Sequence, residues 1–199
     1  TTRGGSKKGN GGAGINSQSS SNCVIGQEVV GTSILGRGNV ISNNAEDGIF
    51  ILSGTDYIIG GNFVGVDAIG SADHGNGGHG IRTTGTGHEI GQIRGPAPEL
   101  ETGNQIRHNG GDGVHIGGTS TLLANDISVN DDNGMWLSGP DSIVGNSYDH
   151  SRNTVRANAG DGIQITDLSD ITGLELRNSW IYDNLGRGVY VNNGNQINL

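Results

Sequence analysis

The chain has 199 residues, of which 31% are apolar and 4% aromatic, and its formal net charge is −9. That length allows one domain or a piece of a larger protein, and the acidic balance disfavours a nucleic-acid partner. No apolar run approaches the roughly 20 residues that a helix needs to cross a membrane.

A single cysteine, Cys23, rules out an internal disulfide framework and is expected to pack beside Val24 and Ile25. There is no legible signal peptide and no initiator Met, so the sequence reads as a processed form or a piece. So little apolar material is poor stuff for a conventional core. Regularly spaced Ile and Val nevertheless demand a core to face, which argues against disorder.

Residues 1–9, with Arg3, Lys7 and Lys8, read as an irregular start. From Asn10 onward one pattern recurs. An Asn stands four residues before a Gly, and an aliphatic residue or Met follows the Gly. It occurs at Asn10/Gly14-Ile15, Asn44/Gly48-Ile49, Asn76/Gly80-Ile81, Asn109/Gly113-Val114, Asn130/Gly134-Met135, Asn158/Gly162-Ile163 and Asn184/Gly188-Val189. Seven copies of unchanged internal spacing mark a structural repeat. A second apolar stretch follows the first six: Cys23–Gly26, Tyr57–Gly60, Glu89–Gly91, Leu122-Leu123, Ser142–Gly145 and Leu174–Leu176. A third precedes the next repeat Asn: Asn39–Asn44, Asn104–Asn109, Asn125–Asn130, Asn153–Asn158 and Ser179–Asn184. Each unit is therefore predicted to hold three short strands separated by Gly/Asn/Asp turns.

Successive anchors from Ile15 to Val189 lie 34, 32, 33, 21, 28 and 26 residues apart. The smallest value is one bare coil. The excess falls in predicted loops at 27–37, 67–75, 92–102 and 146–152, and the stretch Gly95-Pro96-Ala97-Pro98-Glu99 in the third is incompatible with a strand. Gly-rich Asn10–Ile15 is nearly repeated by Asn76–Ile81. The last unit, 189–199, starts a coil and stops, so the native chain is expected to continue or another copy to stack there.

Three strands per coil, about 21 residues per coil and an Asn in fixed phase describe an all-β fold. The expectation is one single-stranded right-handed parallel β-helix of about seven coils with loop insertions, spanning 1–199. Here the sequence resembles the right-handed parallel β-helix repeat proteins of the pectate-lyase-like superfamily. Gly38–Ile49 and Gly61–Gly78 look like the long bacterial surface versions of that repeat, which implies an extracellular or cell-surface location. The superfamily holds lyases, hydrolases, epimerases, tailspikes, adhesins and passive scaffolds, so the resemblance does not by itself give a function.

In this register Ile49 and Ile51 point inward and Phe50 outward. The repeated Asn sits at a corner, bonding to the next coil's Asn or backbone and adopting left-handed turn geometry, while the Gly lets the chain bend.

Two rows of residues carry candidate chemistry. The outward position of the Gly-Ile-x strand reads Asn16, Phe50, Arg82, His115, Trp136, Gln164 and Tyr190. Phe50, Trp136, Gln164 and Tyr190 would make a platform for sugar rings, with Arg82 facing a carboxylate or sulfate. The plainer reading is a strand-favouring surface stack. The position before each Gly reads Ala13, Asp47, His79, Asp112, Asn133, Asp161 and Arg187. In register, His79 lies between Asp47 and Asp112, with Arg82 and His115 beside it. A lyase or epimerase on uronates would use His79 or His115 as base and Arg82 as neutraliser; a hydrolase would use Asp47 and Asp112. The plainer reading is that Asp-Gly and His-Gly are turn dipeptides. Gly78-His79-Gly80 and Asp131-Asp132 resemble pieces of the polygalacturonase pattern, but in another order and without the rest.

For metals, Asp67, Asp73 and Asn130-Asp131-Asp132 offer hard oxygen ligands suited to Ca²⁺, or simply solvated turns. The Ca²⁺-binding glycine-rich nonapeptide is absent, and the six His show no zinc spacing. Three functions follow as expectations: a secreted or surface module presenting a stacked face for adhesion or carbohydrate contact; a lyase, epimerase or hydrolase on acidic glycans; or a self-stacking filament or phage-type assembly module.

Overall fold

The computed structural model describes residues 9–30, 33–35, 38–71, 73–92, 102–147, 152–166, 173–192 and 197–198. The expectations for residues 1–8 and for Gly95–Glu99 lie outside them, as do 148–151 of the fourth predicted loop. Three parallel sheets run the length of the stack. The first joins Ile15–Ser17, Ile49–Ile51, Ile81–Thr83, Val114–Ile116, Met135–Leu137, Ile163–Thr166 and Val189–Asn192. The second joins Val24–Gly26, Ile58–Gly60, His88–Ile90, Ser120–Leu122, Ile143–Val144, Leu174–Leu176 and Ile197–Asn198. The third joins Val40–Ile41, Phe63–Val64, Gln105–Arg107, Asp126–Ser128, Asn153–Arg156 and Ser179–Tyr182. The chain visits the sheets in turn, once per coil, which is the parallel β-helix that the spacing predicts.

Alternation along each strand builds the core. Ile49 and Ile51 are fully buried while Phe50 between them is half-exposed. The same holds for Val114 and Ile116 around His115, and for Met135 and Leu137 around Trp136. Each inward aliphatic side chain stacks on its counterparts above and below, so one Ile or Val per strand face serves two coils. This is how a chain so poor in aromatics encloses a continuous core, in which Tyr57 is the only fully buried Phe, Tyr or Trp among the described residues. Cys23 packs against this core, as expected.

The corner Asn residues form the expected ladder. Asn10, Asn44, Asn76, Asn109, Asn130 and Asn158 each donate a side-chain N–H to the next rung's Oδ1 at 2.7–3.0 Å, and Asn184 ends the ladder as acceptor. Their backbone N–H groups reach the same oxygens. The remaining amide hydrogens go to carbonyls of the preceding coil, such as those of Ile41 and Ile106. Every polar atom of a buried Asn is thereby satisfied.

Several local expectations change. A second Asn ladder, Asn39–Asn62–Asn104–Asn125–Asn153, runs between the second and third sheets with side-chain links of 2.9–3.0 Å. Left-handed backbone falls not on the ladder Asn but on the residue before it: Asn43, His108, Val129, Ala157 and Asp183. The ladder residue must turn its side chain inward, so its predecessor makes the corner. The repeat Gly stands at a bend in each coil, as expected, but not at positive φ. A Cβ on Gly134 would lie 2.2 Å from Val155 Cγ1 and 2.6 Å from the Gly162 carbonyl, so Gly is required there by close approach. The predicted loop at 27–37 contains an antiparallel pair, Glu28–Val30 with Ser33–Leu35. Phe63–Val64 supplies the third-sheet strand that the sequence pattern overlooks, because nine residues of insertion separate it from Asn76. The strand at Leu122-Leu123 starts earlier, at Ser120, and ends at Leu122.

Candidate functional site

The outward row falls into unbroken register: Asn16↔Phe50, Phe50↔Arg82, Arg82↔His115, His115↔Trp136, Trp136↔Gln164 and Gln164↔Tyr190. Neighbours on the row touch. The Arg82 guanidinium lies 4.1 Å from the Phe50 ring centroid, and the His115 and Trp136 rings are 4.4 Å apart. The Trp136 indole N–H donates to the Thr166 hydroxyl. At the far end Arg187 covers the Tyr190 ring.

The turn row beside it is a third ladder, which the sequence pattern did not reveal. Each side chain accepts the backbone N–H of its counterpart one coil on. Asp47 Oδ1 accepts from His79, His79 Nδ1 from Asp112, Asp112 Oδ1 from Asn133, Asn133 Oδ1 from Asp161, and Asp161 Oδ1 from Arg187, at 2.6–3.2 Å. What these residues share is an acceptor two bonds beyond Cβ, which Asp, Asn and the His Nδ1 all provide. That common feature was the legible signal.

The ladder commits the predicted acid/base groups. Asp47 holds the His79 N–H with Oδ1, and its Oδ2 lies 3.3 Å from Arg82 Nε. Asp112 is fully buried. Its Oδ1 takes both the backbone and side-chain N–H of Asn133, and its Oδ2 lies 3.2 Å from His79 Nδ1 and 3.3 Å from His115 Nδ1. Burial pushes this carboxyl up, but hydrogen bonds, that with His115 first and that with Asn133 beside it, outweigh burial and hold it below the usual carboxylate range. His79, Arg82, His115, Asp47 and Asp112 do come together, as the register predicts. Neither carboxylate keeps an unengaged oxygen, and Arg82 is held between Asp47 and the Phe50 ring.

A family model for right-handed β-helix regions matches residues 6–199. The chain belongs to the right-handed β-helix family. No curated protein sequence matches it. Membership fits both scaffolding and enzyme-like roles, so the site residues of this β-helix must be weighed on their own geometry.

As for metals, the β-helix engages the predicted oxygen ligands within their own turns. Asp67 Oδ1 accepts from the Ser71 N–H and Asp73 Oδ1 from the Gly75 N–H, while Asn130 is a ladder rung. Burial, then the Asp112 charge, pushes the Asp132 carboxyl up. Among the described residues, three metal-type ligand atoms converge at His79, Asp112 and His115 instead, all within 4.8 Å of one another. Spacing along the chain hides this cluster, because coil stacking makes His79 and Asp112 neighbours across 33 residues.

Proposed function

We propose that this β-helix is a non-cleaving module displayed outside the cell, which contacts a glycan along the outer row of the first sheet. The observation that carries the reading is the unbroken row Phe50–Arg82–His115–Trp136–Gln164–Tyr190, with every member half-exposed. Parallel strands repeat at about 4.8 Å, so six flat or hydrogen-bonding side chains present a straight track along the helix axis. The aromatic side chains offer apolar surface to the C–H faces of sugars, and Gln164 and His115 Nε2 offer hydrogen bonds.

The state of the carboxylates supports contact rather than cleavage. A glycosidase needs one carboxylic acid and one free carboxylate across the scissile bond. Asp47 and Asp112 both spend their oxygens inside the protein. A uronate lyase or epimerase needs a cation free to meet the substrate carboxylate, and Arg82 already has Asp47.

The test is a panel of neutral and acidic polysaccharides, scored for retention of the protein, for new reducing ends and for unsaturated products. Retention without product is expected. Trp136→Ala should weaken retention about tenfold, the equivalent of about 1.4 kcal/mol. Cleavage by the unaltered chain would transfer the assignment to an enzyme, and retention indifferent to Trp136 would remove the row from the contact.

A further inference from the structure

We infer that His79, Asp112 and His115 form a binding site for one divalent cation of the zinc class. The inference does not depend on any glycan.

Three ligand atoms from two adjacent coils lie within 4.8 Å of one another. Asp112 Oδ2 lies 3.2 Å from His79 Nδ1 and 3.3 Å from His115 Nδ1. Bonds of about 2.0–2.1 Å to a tetrahedral zinc ion place neighbouring ligand atoms about 3.3 Å apart. Two of the three edges therefore already have that length, and the third, within 4.8 Å, is the one that shortens when an ion binds. Two imidazole nitrogens and one carboxylate oxygen favour Zn²⁺, Ni²⁺ or Cu²⁺ over Ca²⁺ or Mg²⁺, which take oxygen ligands.

The surroundings are those of a built site. Asp112 Oδ1 is fixed by two N–H groups of Asn133, which aims Oδ2 at the two rings. Trp136 packs against His115 with its ring tilted by 56°, and the His79 and His115 rings contact edge to face at 4.8 Å between centroids. The histidine side chains are 21% and 17% exposed and Asp112 is fully buried, so an ion reaches the cluster from solvent and keeps an outward position for water.

A second observation points to a cation. The Asp112 backbone N–H donates to His79 Nδ1 at 3.0 Å, so that nitrogen is an acceptor and brings no proton to Asp112 Oδ2. Two lone-pair atoms thus face each other at 3.2 Å inside a buried site. A cation between them turns that repulsion into two bonds, at the expense of the single N–H contact.

The repeat itself supplies fold-preserving variants. Asn133 occupies the position of His79 two coils on and accepts the same kind of N–H bond, so His79→Asn keeps the ladder. Gln164 occupies the outward position of His115, so His115→Gln suits the strand. Metal-free protein titrated with Zn²⁺ in a calorimeter should take up one ion per chain. Each variant should melt with the unaltered chain when metal-free, yet bind Zn²⁺ about tenfold or more weakly. Co²⁺ should give the visible absorption of a four-coordinate ion in the unaltered chain and lose it in both variants. No Zn²⁺ uptake up to about 1 mM would overturn the inference. So would undiminished uptake in the variants, which would place the ion on other histidines. Should a His variant fail to melt cooperatively, Asp112→Asn carries the same test, since it keeps an oxygen for the Asn133 N–H.

Discussion

Asn109 donates both its side-chain and its backbone N–H to one oxygen, Oδ1 of Asn130, at 3.0 and 3.1 Å. Asn130 repeats the arrangement toward Asn158 and also donates to the Ile106 carbonyl. Truncation of Asn130 orphans two buried donors at once. At about 1–3 kcal/mol per unsatisfied group, Asn130→Ala should cost roughly 3 kcal/mol. Asn10 is exposed at the end of the ladder, and Asn10→Ala should cost well under half of that. Urea denaturation of the two variants checks the difference.

The repeat Gly is tested by contrast within one chain. A Cβ on Gly134 meets Val155, the Gly162 carbonyl and Asn158 Nδ2, all within 2.8 Å, whereas a Cβ on Gly11 meets nothing within 4 Å. Overpacking costs about 1–3 kcal/mol or more, so Gly134→Ala should lower the melting temperature sharply. Gly11→Ala should leave it in place.

Val129 carries a β-branched side chain at φ 57°, where Asn43 stands at the same corner of an earlier coil with the same φ. The left-handed region costs a branched residue about 1–2 kcal/mol, and Asn tolerates it. The Val129 side chain is exposed, so little packing is lost on replacement. Val129→Asn should raise stability by about 1 kcal/mol, read as a shift of the urea midpoint.

His88 gives the stack a pH dependence. It is buried at the start of the second-sheet strand His88–Ile90, where Nδ1 accepts the Tyr57 N–H at 3.2 Å and Nε2 has no hydrogen-bond partner. Burial lowers its pKa from 6.5, against a smaller opposing pull from Asp56. Between that lowered value and 6.5 the unfolded chain binds a proton that the folded chain refuses. His88 therefore contributes full stability above pH 6.5, and the contribution falls as pH drops below 6.5 toward the folded value. His88→Asn keeps an acceptor for Tyr57 and cannot titrate. The loss of stability between pH 7.5 and 5.5 should be smaller in the variant than in the unaltered chain.

The architecture was written in the local pattern. A parallel coil needs an aliphatic residue facing inward on every strand, a side chain that satisfies itself and its neighbour at the corner, and a Gly where backbones crowd. Those demands repeat in each coil, so Asn44, Gly48 and Ile49 announce them seven times over. The outward row from Asn16 to Tyr190 followed directly, because strand alternation and constant internal spacing fix both face and register. What the pattern could not give was the commitment of each polar atom. Asp47 and His79 read equally well as catalytic groups and as turn residues. Only the stacked coils decide that Asp47 is closed off by the His79 N–H and Arg82, and that Asp112 Oδ2 meets two imidazoles. Those contacts join residues 32 and 33 positions apart, or in other coils 21 and 28, according to how much loop intervenes. The insertions make the chain spacing irregular and the stacking makes the spatial spacing constant, so hydrogen-bond partners across coils exist only once the chain is folded.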